Sequence, residues 1–266
     1  GRNIHFGVRE HAMAAVTNGI ALDGTFLPYC GTFMIFSDYM RPSIRLAALM
    51  KIRSLFVFTH DSFYVGEDGP THQPIEQLDA LRSIPGLTVF RPADGLETAM
   101  AYAWILERGE GPAMLALTRQ GVPVLARPEG FEPEEIWRGG YVVRAPDASP
   151  DLVLVASGSE VGLACEAAEI LSGRGRSVRV VSMPCLELFD QQSEREQLVV
   201  VPDDGTPVVA VEAGRGESFR RFVGRRGLII GMQDFGESAP YKALAEHFGF
   251  TPDQVVARIE AHLERG

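Results

Sequence analysis

The sequence predicts an α/β chain of two domains, each a mainly parallel sheet flanked by helices. Three observations predict it. Short runs of Val, Ile, Leu and Phe recur without polar alternation, as expected of strands buried on both faces. Segments of helical periodicity separate these runs. Between residues 121 and 138 the texture breaks, with Pro123, Pro128, Pro133 and the run Glu132-Pro133-Glu134-Glu135, and a second strand–helix series then starts. This stretch reads as a linker crossing the surface, or as a long loop within one domain.

The elements follow in order. Ile4-His5-Phe6 is expected as a strand, and residues 10–22 as a helix with an acidic first turn. Leu27-Pro28-Tyr29 is short and extended, and residues 36–49 carry helical periodicity. Leu55-Phe56-Val57-Phe58 is a buried strand, followed by a helix near residues 75–82. Strand 87–90, helix 97–107 and strand 113–117 complete the first half. In the second half strands are expected at 152–155, 178–181, 208–211 and 228–230. Ser157 and Glu160 stand at capping-box spacing and are expected to open a helix to about residue 171. Two helices, 241–248 and 252–263, end the chain.

The 266 residues suffice for one large or two ordinary domains, and 45% hydrophobic content is that of a globular protein. A formal charge of -10 argues against a general nucleic-acid or anionic-membrane surface, though not against a local basic pocket. The cysteines, Cys30, Cys165 and Cys185, are odd in number and form no CxxC, which suggests neither a disulfide framework nor a zinc site. A cytoplasmic location is the default expectation, with no membrane span and no signal peptide read in the sequence. The start, Gly1-Arg2-Asn3, lacks an initiator Met, and a missing upstream segment is expected. There is no GxGxxG and no P-loop, so the second half's glycines read as turns and caps.

Chemistry concentrates in residues 60–72, His-Asp-Ser-Phe-Tyr-Val-Gly-Glu-Asp-Gly-Pro-Thr-His, directly after the strand at 55–58. Ligands in open α/β sheets sit outside the carboxyl ends of strands. His60, Glu67, Asp68 and His72 there could grip a polyhydroxylated substrate and move protons, or form a polar surface loop shaped by Gly66, Gly69 and Pro70. Glu10, at a helix start, either complements the helix dipole or shares a proton with a ligand. Phe33, Phe36 and Tyr39, three residues apart, are either core packing or an aromatic pocket for a heterocycle. Arg119, beyond the strand at 113–117, suits a phosphate or is a solvated arginine.

Taken together, the segments resemble transketolase. They are Val8-Arg9-Glu10, Thr32-Phe33-Met34-Ile35-Phe36, residues 45–51, Thr59-His60-Asp61-Ser62, residues 66–74 and Arg119-Gln120. Arg138-Gly139-Gly140-Tyr141, Gly158-Ser159-Glu160-Val161, Val181-Ser182-Met183-Pro184 and residues 235–240 follow in family order. The resemblance implies a pyrimidine-binding domain over 1–125, a linker over 126–136 and a C-terminal domain over 137–266. It implies thiamine diphosphate as cofactor. Glu10 would bind the N1′ nitrogen of its aminopyrimidine, Phe36 would stack on that ring, and Phe33 and Tyr39 would complete the pocket. His72 would bind the donor's C1 hydroxyl and help proton transfer, Asp68 would contact the C2 hydroxyl, and His60 and Arg119 would hold the sugar phosphate. The implied reaction is reversible transfer of a two-carbon ketol unit from a ketose phosphate, such as xylulose 5-phosphate, to an aldose phosphate, such as ribose 5-phosphate, in the pentose phosphate pathway.

The resemblance also implies a homodimer with the active site at the subunit interface. The family's diphosphate-binding portion, with the ligands of Mg2+ (or Ca2+ or Mn2+), is missing, so these residues alone are expected to be inactive. No metal ligand is assigned in this chain. Phe63-Tyr64 departs from the family pattern beside the expected substrate channel. The rivals are dihydroxyacetone synthase, deoxyxylulose-phosphate synthase and a non-catalytic transketolase-like assembly protein. Gln73 and Thr118-Arg119-Gln120 favour transketolase over the second of these.

Overall fold

The computed structural model describes residues 2–265. The first half runs α1 (Glu10–Asp23), β1 (Tyr29–Phe33), α2 (Ser37–Met50), β2 (Leu55–Thr59), α3 (Gln77–Arg82), β3 (Thr88–Phe90), α4 (Gly95–Glu107) and β4 (Ala113–Ala116). Its four strands form one sheet in the order β1-β2-β4-β3, all parallel. The second half adds β5 (Tyr141–Arg144), β6 (Leu152–Ala156), α5 (Glu160–Gly173), β7 (Val178–Ser182), α6 (Leu186–Phe189), α7 (Glu194–Val200) and β8 (Val208–Val211). It ends with α8 (Arg220–Val223), β9 (Leu228–Ile230), α9 (Tyr241–Phe248) and α10 (Pro252–Leu263). Its sheet order is β5-β7-β6-β8-β9, with β5 antiparallel and the rest parallel. Every residue of β4, β6 and β8 is buried, which is why these strands read as unbroken apolar runs.

Several expectations are corrected. Residues 4–6 form no strand: among the described residues none pairs with them, and Ile4 is 58% exposed. The strand expected at 27–29 is β1, displaced to Tyr29–Phe33 by its pairing with β2. The capping box at Ser157 and Glu160 does not form. Ser159 occupies the N-cap without a side-chain cap, because Ser157 and Glu160 turn inward to a charged cluster. A true box, Ser193 with Glu196, opens α7 instead. Strand β5 and helices α6, α7 and α8 were not expected; three of them are four residues long, too short to show a period.

The segment between β4 and β5 is tied down. Arg127 bonds to Asp94, the N-cap of α4, and donates to the Tyr141 hydroxyl at 3.0 Å. Tyr141 donates in turn to the buried Glu97 at 2.7 Å. The two halves also share a core. Phe63 is fully buried, with its ring 5.2 Å from Phe248 and 5.1 Å from Phe250. The Phe63 side chain therefore plugs the junction of the two halves, and Tyr64 stacks on it at 4.2 Å. Among the described residues, no helix is long and apolar enough to cross a membrane.

Candidate active site

Sheet order assembles the site. β2 lies between β1 and β4, so the carboxyl ends of all three come together. Phe33, the last residue of β1, is in register with Thr59, the last of β2. The next residue, His60, therefore meets Phe33 face to face, with ring centroids 3.6 Å apart and planes 14° apart. His60 adopts a left-handed backbone, φ 61°, uncommon for a residue with a Cβ and a mark of local constraint. On the other side, Leu117 donates to the Phe58 carbonyl at 2.7 Å, carrying the chain after β4 toward His60. Arg119 follows two residues later.

The aromatic stripe is not one helix face. Phe33 ends β1, Phe36 ends a 3-10 turn over Met34–Phe36, and Tyr39 is in the first turn of α2. Their rings nevertheless form a row, Phe33 to Phe36 and Phe36 to Tyr39, each 6.3 Å apart. His72 joins it edge-on, 5.7 Å from Phe36. So Phe33, Phe36, Tyr39, His60 and His72 share one half-open aromatic wall, with Tyr39 64% exposed. Asp68 and Arg119 are exposed at its rim. Glu10 is half-buried at the start of α1, and among the described residues its carboxylate has no hydrogen-bond or ion-pair partner.

Burial pushes the His60 imidazole below its ordinary pKa, and the Arg119 guanidinium pushes the same way against Asp68 and Asp61. Both effects favour the neutral imidazole at His60, beside the Arg119 guanidinium. His60 Nδ1 lies 2.9 Å from Thr59 Oγ1, and His72 Nδ1 lies 2.9 Å from Thr71 Oγ1.

Beneath this loop lies a charged cluster that sequence reasoning missed. Arg91, fully buried, donates from Nε to Asp61 at 2.9 Å, and from Nη1 to the Ser157 carbonyl at 2.8 Å and to Glu212 at 2.5 Å. It also bonds to Glu160, and Arg82 bonds to Ser157 Oγ at 3.1 Å. Gly158 makes room: with φ +59°, a Cβ there would lie 2.7 Å from Arg91 Cζ. The one available signal was position, since Arg91 follows β3 as Arg119 follows β4. A buried arginine among acids from two sheets leaves no pattern in sequence.

Three carboxylates, Asp61, Glu160 and Glu212, face two guanidiniums, Arg82 and Arg91. Burial opposes Arg91's charge, but the three acids outweigh it and hold Arg91 protonated. The excess negative charge falls on Glu212, which burial pushes up to about 7, against Arg91 and Arg82. A folded-state pKa raised above the ordinary value favours folding fully below about pH 4, and that contribution is lost as pH rises through 7. Glu212→Gln removes this titration. We therefore expect the thermal midpoint of the parent protein to fall relative to Glu212→Gln between pH 5.5 and 8.5, measured by circular dichroism. Parallel pH dependences would show that Glu212 does not carry the proton.

Two family models match. "Transketolase, pyrimidine binding domain" matches residues 1–124 and "Transketolase-like TK C-terminal domain" residues 139–251. The chain is 50% identical over 259 residues to a transketolase of Aquifex aeolicus and 52% identical over 270 residues to one of Mycobacterium leprae. These alignments cover 97% and 99% of this chain but only 38% of either relative. The crystal structure of transketolase from Campylobacter jejuni superposes with a TM-score of 0.91 at 43% identity, covering 97% of this chain and 39% of that one. A split-gene transketolase, described as an inactive beta4 tetramer, superposes at 0.79 with 28% identity, covering 97% of this chain and 83% of that one. With both family models matched across most of its length, the chain belongs to the transketolase family.

Proposed function

We propose that this chain supplies the pyrimidine-binding side of a transketolase active site, and that the complete enzyme transfers a two-carbon ketol unit between sugar phosphates. The observation that carries the reading is the convergence of Phe33, Phe36, His60 and His72 at three adjacent strand ends, with Asp68 and Arg119 at the rim. An aromatic face suits a pyrimidine, and two imidazoles suit a hydroxylated substrate. The half-buried Glu10 carboxylate, without a protein partner among the described residues, fits a ring nitrogen that must be held protonated. When bound, thiamine diphosphate supplies the electron sink that lets a carbon–carbon bond break and re-form.

The chain's own residues do the rest. Glu10 holds the proton at the pyrimidine nitrogen and Phe36 orients the ring. His72 holds or moves a proton at the donor's hydroxyl, and Asp68 binds the neighbouring hydroxyl. His60 donates a hydrogen bond to the sugar phosphate while Arg119 grips it with a fork of donors. The domain division proposed is 1–125 and 137–266, joined by 126–136. Among the described residues, no group of three or more His, Cys, Asp or Glu side chains is arranged to hold a metal ion. We place the ligands of the divalent metal and the diphosphate site on a companion portion, meeting this one across a homodimer interface. The chain spans 38% of the two curated relatives, and the split-gene neighbour of comparable extent is named as inactive. Both support that division.

Calorimetric titration of the 266-residue chain with thiamine diphosphate and Mg2+ tests it. We expect no measurable heat from the chain alone. Micromolar or tighter binding, on the order of -8 kcal/mol or stronger, would mean that the whole cofactor site lies within these residues and would overturn the division.

A further inference from the structure

We infer that the second half of the chain contributes to the reaction by holding the loop that carries Asp68 and His72, and that Gln73 is the positioning residue through which it does so. The inference rests on the reading of that loop as the substrate site. Gln73 follows His72 directly and is buried. Its Nε2 donates to the Gly66 carbonyl at 2.8 Å and to the Glu237 carbonyl at 2.8 Å. The first bond closes the loop on itself, because Gly66 also accepts from the Gly69 amide at 3.1 Å, and Gly69 accepts from the His72 amide at 3.0 Å. The second bond fastens the closed loop to the segment just before α9. One amide group therefore fixes the span between the two proposed substrate-binding side chains and anchors it to the other half.

Two further contacts repeat the arrangement. Ser238 donates from Oγ to the Glu67 carbonyl at 2.6 Å, next to Asp68. Gly236 lies so close that an added Cβ would fall 1.5 Å from Gln73 Oε1. Gly236 is in the second half, and the amide of Gln73 fits only because position 236 is glycine. At the loop's other end Asp61 is held by Arg91, which the second half's Glu160 and Glu212 surround. The stretch from His60 to His72 is therefore fixed at both ends by the C-terminal sheet and its loops.

The test compares Gln73→Met, Gly236→Ala and the double variant in the full-length protein. Gln73→Met keeps the length of the side chain and removes the donor, and Gly236→Ala expels the same amide from the opposite side. We expect kcat/KM for ketol transfer, per thiamine-diphosphate-titrated site, to fall on the order of 10²-fold in each single variant. The double variant should lose no more than the worse single, since both break one contact. Thiamine diphosphate affinity should be unchanged, and backbone amides 66–72 should exchange with solvent faster. An unchanged kcat/KM per site, even with a lowered thermal midpoint, would overturn the positioning role, as would additive losses. If the parent full-length protein transfers no ketol unit, the transketolase reading fails. Amide exchange then decides the latch alone, and unaltered protection of 66–72 in Gln73→Met overturns it.

Discussion

Replacing Glu10 by alanine in the full-length protein is expected to lower kcat roughly 10²–10⁴-fold, the range for losing a positioned proton-transfer group. The structure makes this an economical test. Glu10 is half-buried at the first position of α1 and has no protein partner among the described residues, so its removal breaks no internal hydrogen bond. The structural cost is limited to a favourable charge at a helix N-terminus, about 0.3–1 kcal/mol. A large fall in turnover with a nearly unchanged folding midpoint would separate chemistry from stability. Steady-state assay with a ketose phosphate donor and an aldose phosphate acceptor measures it. Turnover equal to the parent's would remove Glu10 from the mechanism and leave its carboxylate as a helix-dipole partner. Glu10→Gln sharpens the result, because an amide matches the shape but is a poor keeper of a proton.

Arg91→Met is expected to be the most destabilising single change described here. Methionine approximates the arginine's volume, so the loss is electrostatic rather than a cavity. Without the guanidinium, Asp61, Glu160 and Glu212 face one another with only the edge of Arg82 to balance them. Removing one partner from a buried ion pair costs about 3–5 kcal/mol. Equilibrium urea unfolding at pH 7.5 measures the loss as a shift in midpoint, provided the slope stays constant. A loss below about 1 kcal/mol would mean that the carboxylates take up protons and the cluster behaves as a neutral hydrogen-bonded set. Lowering the pH to 5.5 should recover part of the loss, because Glu212 is already inclined to hold a proton there.

The strands buried on both faces were legible because such burial writes itself as unbroken apolar runs; β2, β6 and β8 were each found within one residue, while β5, with alternating burial, was not. The loop at 60–72 was legible because turn residues and titratable groups follow a buried strand. What failed was what depends on neighbours far away in sequence. Ser157 and Glu160 have perfect capping-box spacing, yet Arg91 and Ala213 claim Glu160, and Glu212 claims Ser157. Phe63 stands in sequence beside residues of the proposed site, but Phe248 and Phe250 draw its side chain into the core. Phe33, Phe36 and Tyr39 had a period of three, while their shared wall comes from a strand end, a 3-10 turn and a helix start. Local rules locate polar side chains near a site, and long-range competition decides which partner each one takes.

The stitching of the two halves sets a limit on how such chains can be recombined. Asp61, Arg82 and Arg91 come from one side of the junction, and Ser157, Glu160 and Glu212 from the other. A chimaera that joins the first 125 residues of this chain to the C-terminal half of a distant homologue must inherit an acid for each acid and a glycine at position 158. Otherwise it carries orphaned charge into a sealed interior. The segment at 126–136 is thus a poor crossover point despite its irregular backbone, and a viable exchange would have to move the cluster as one cassette.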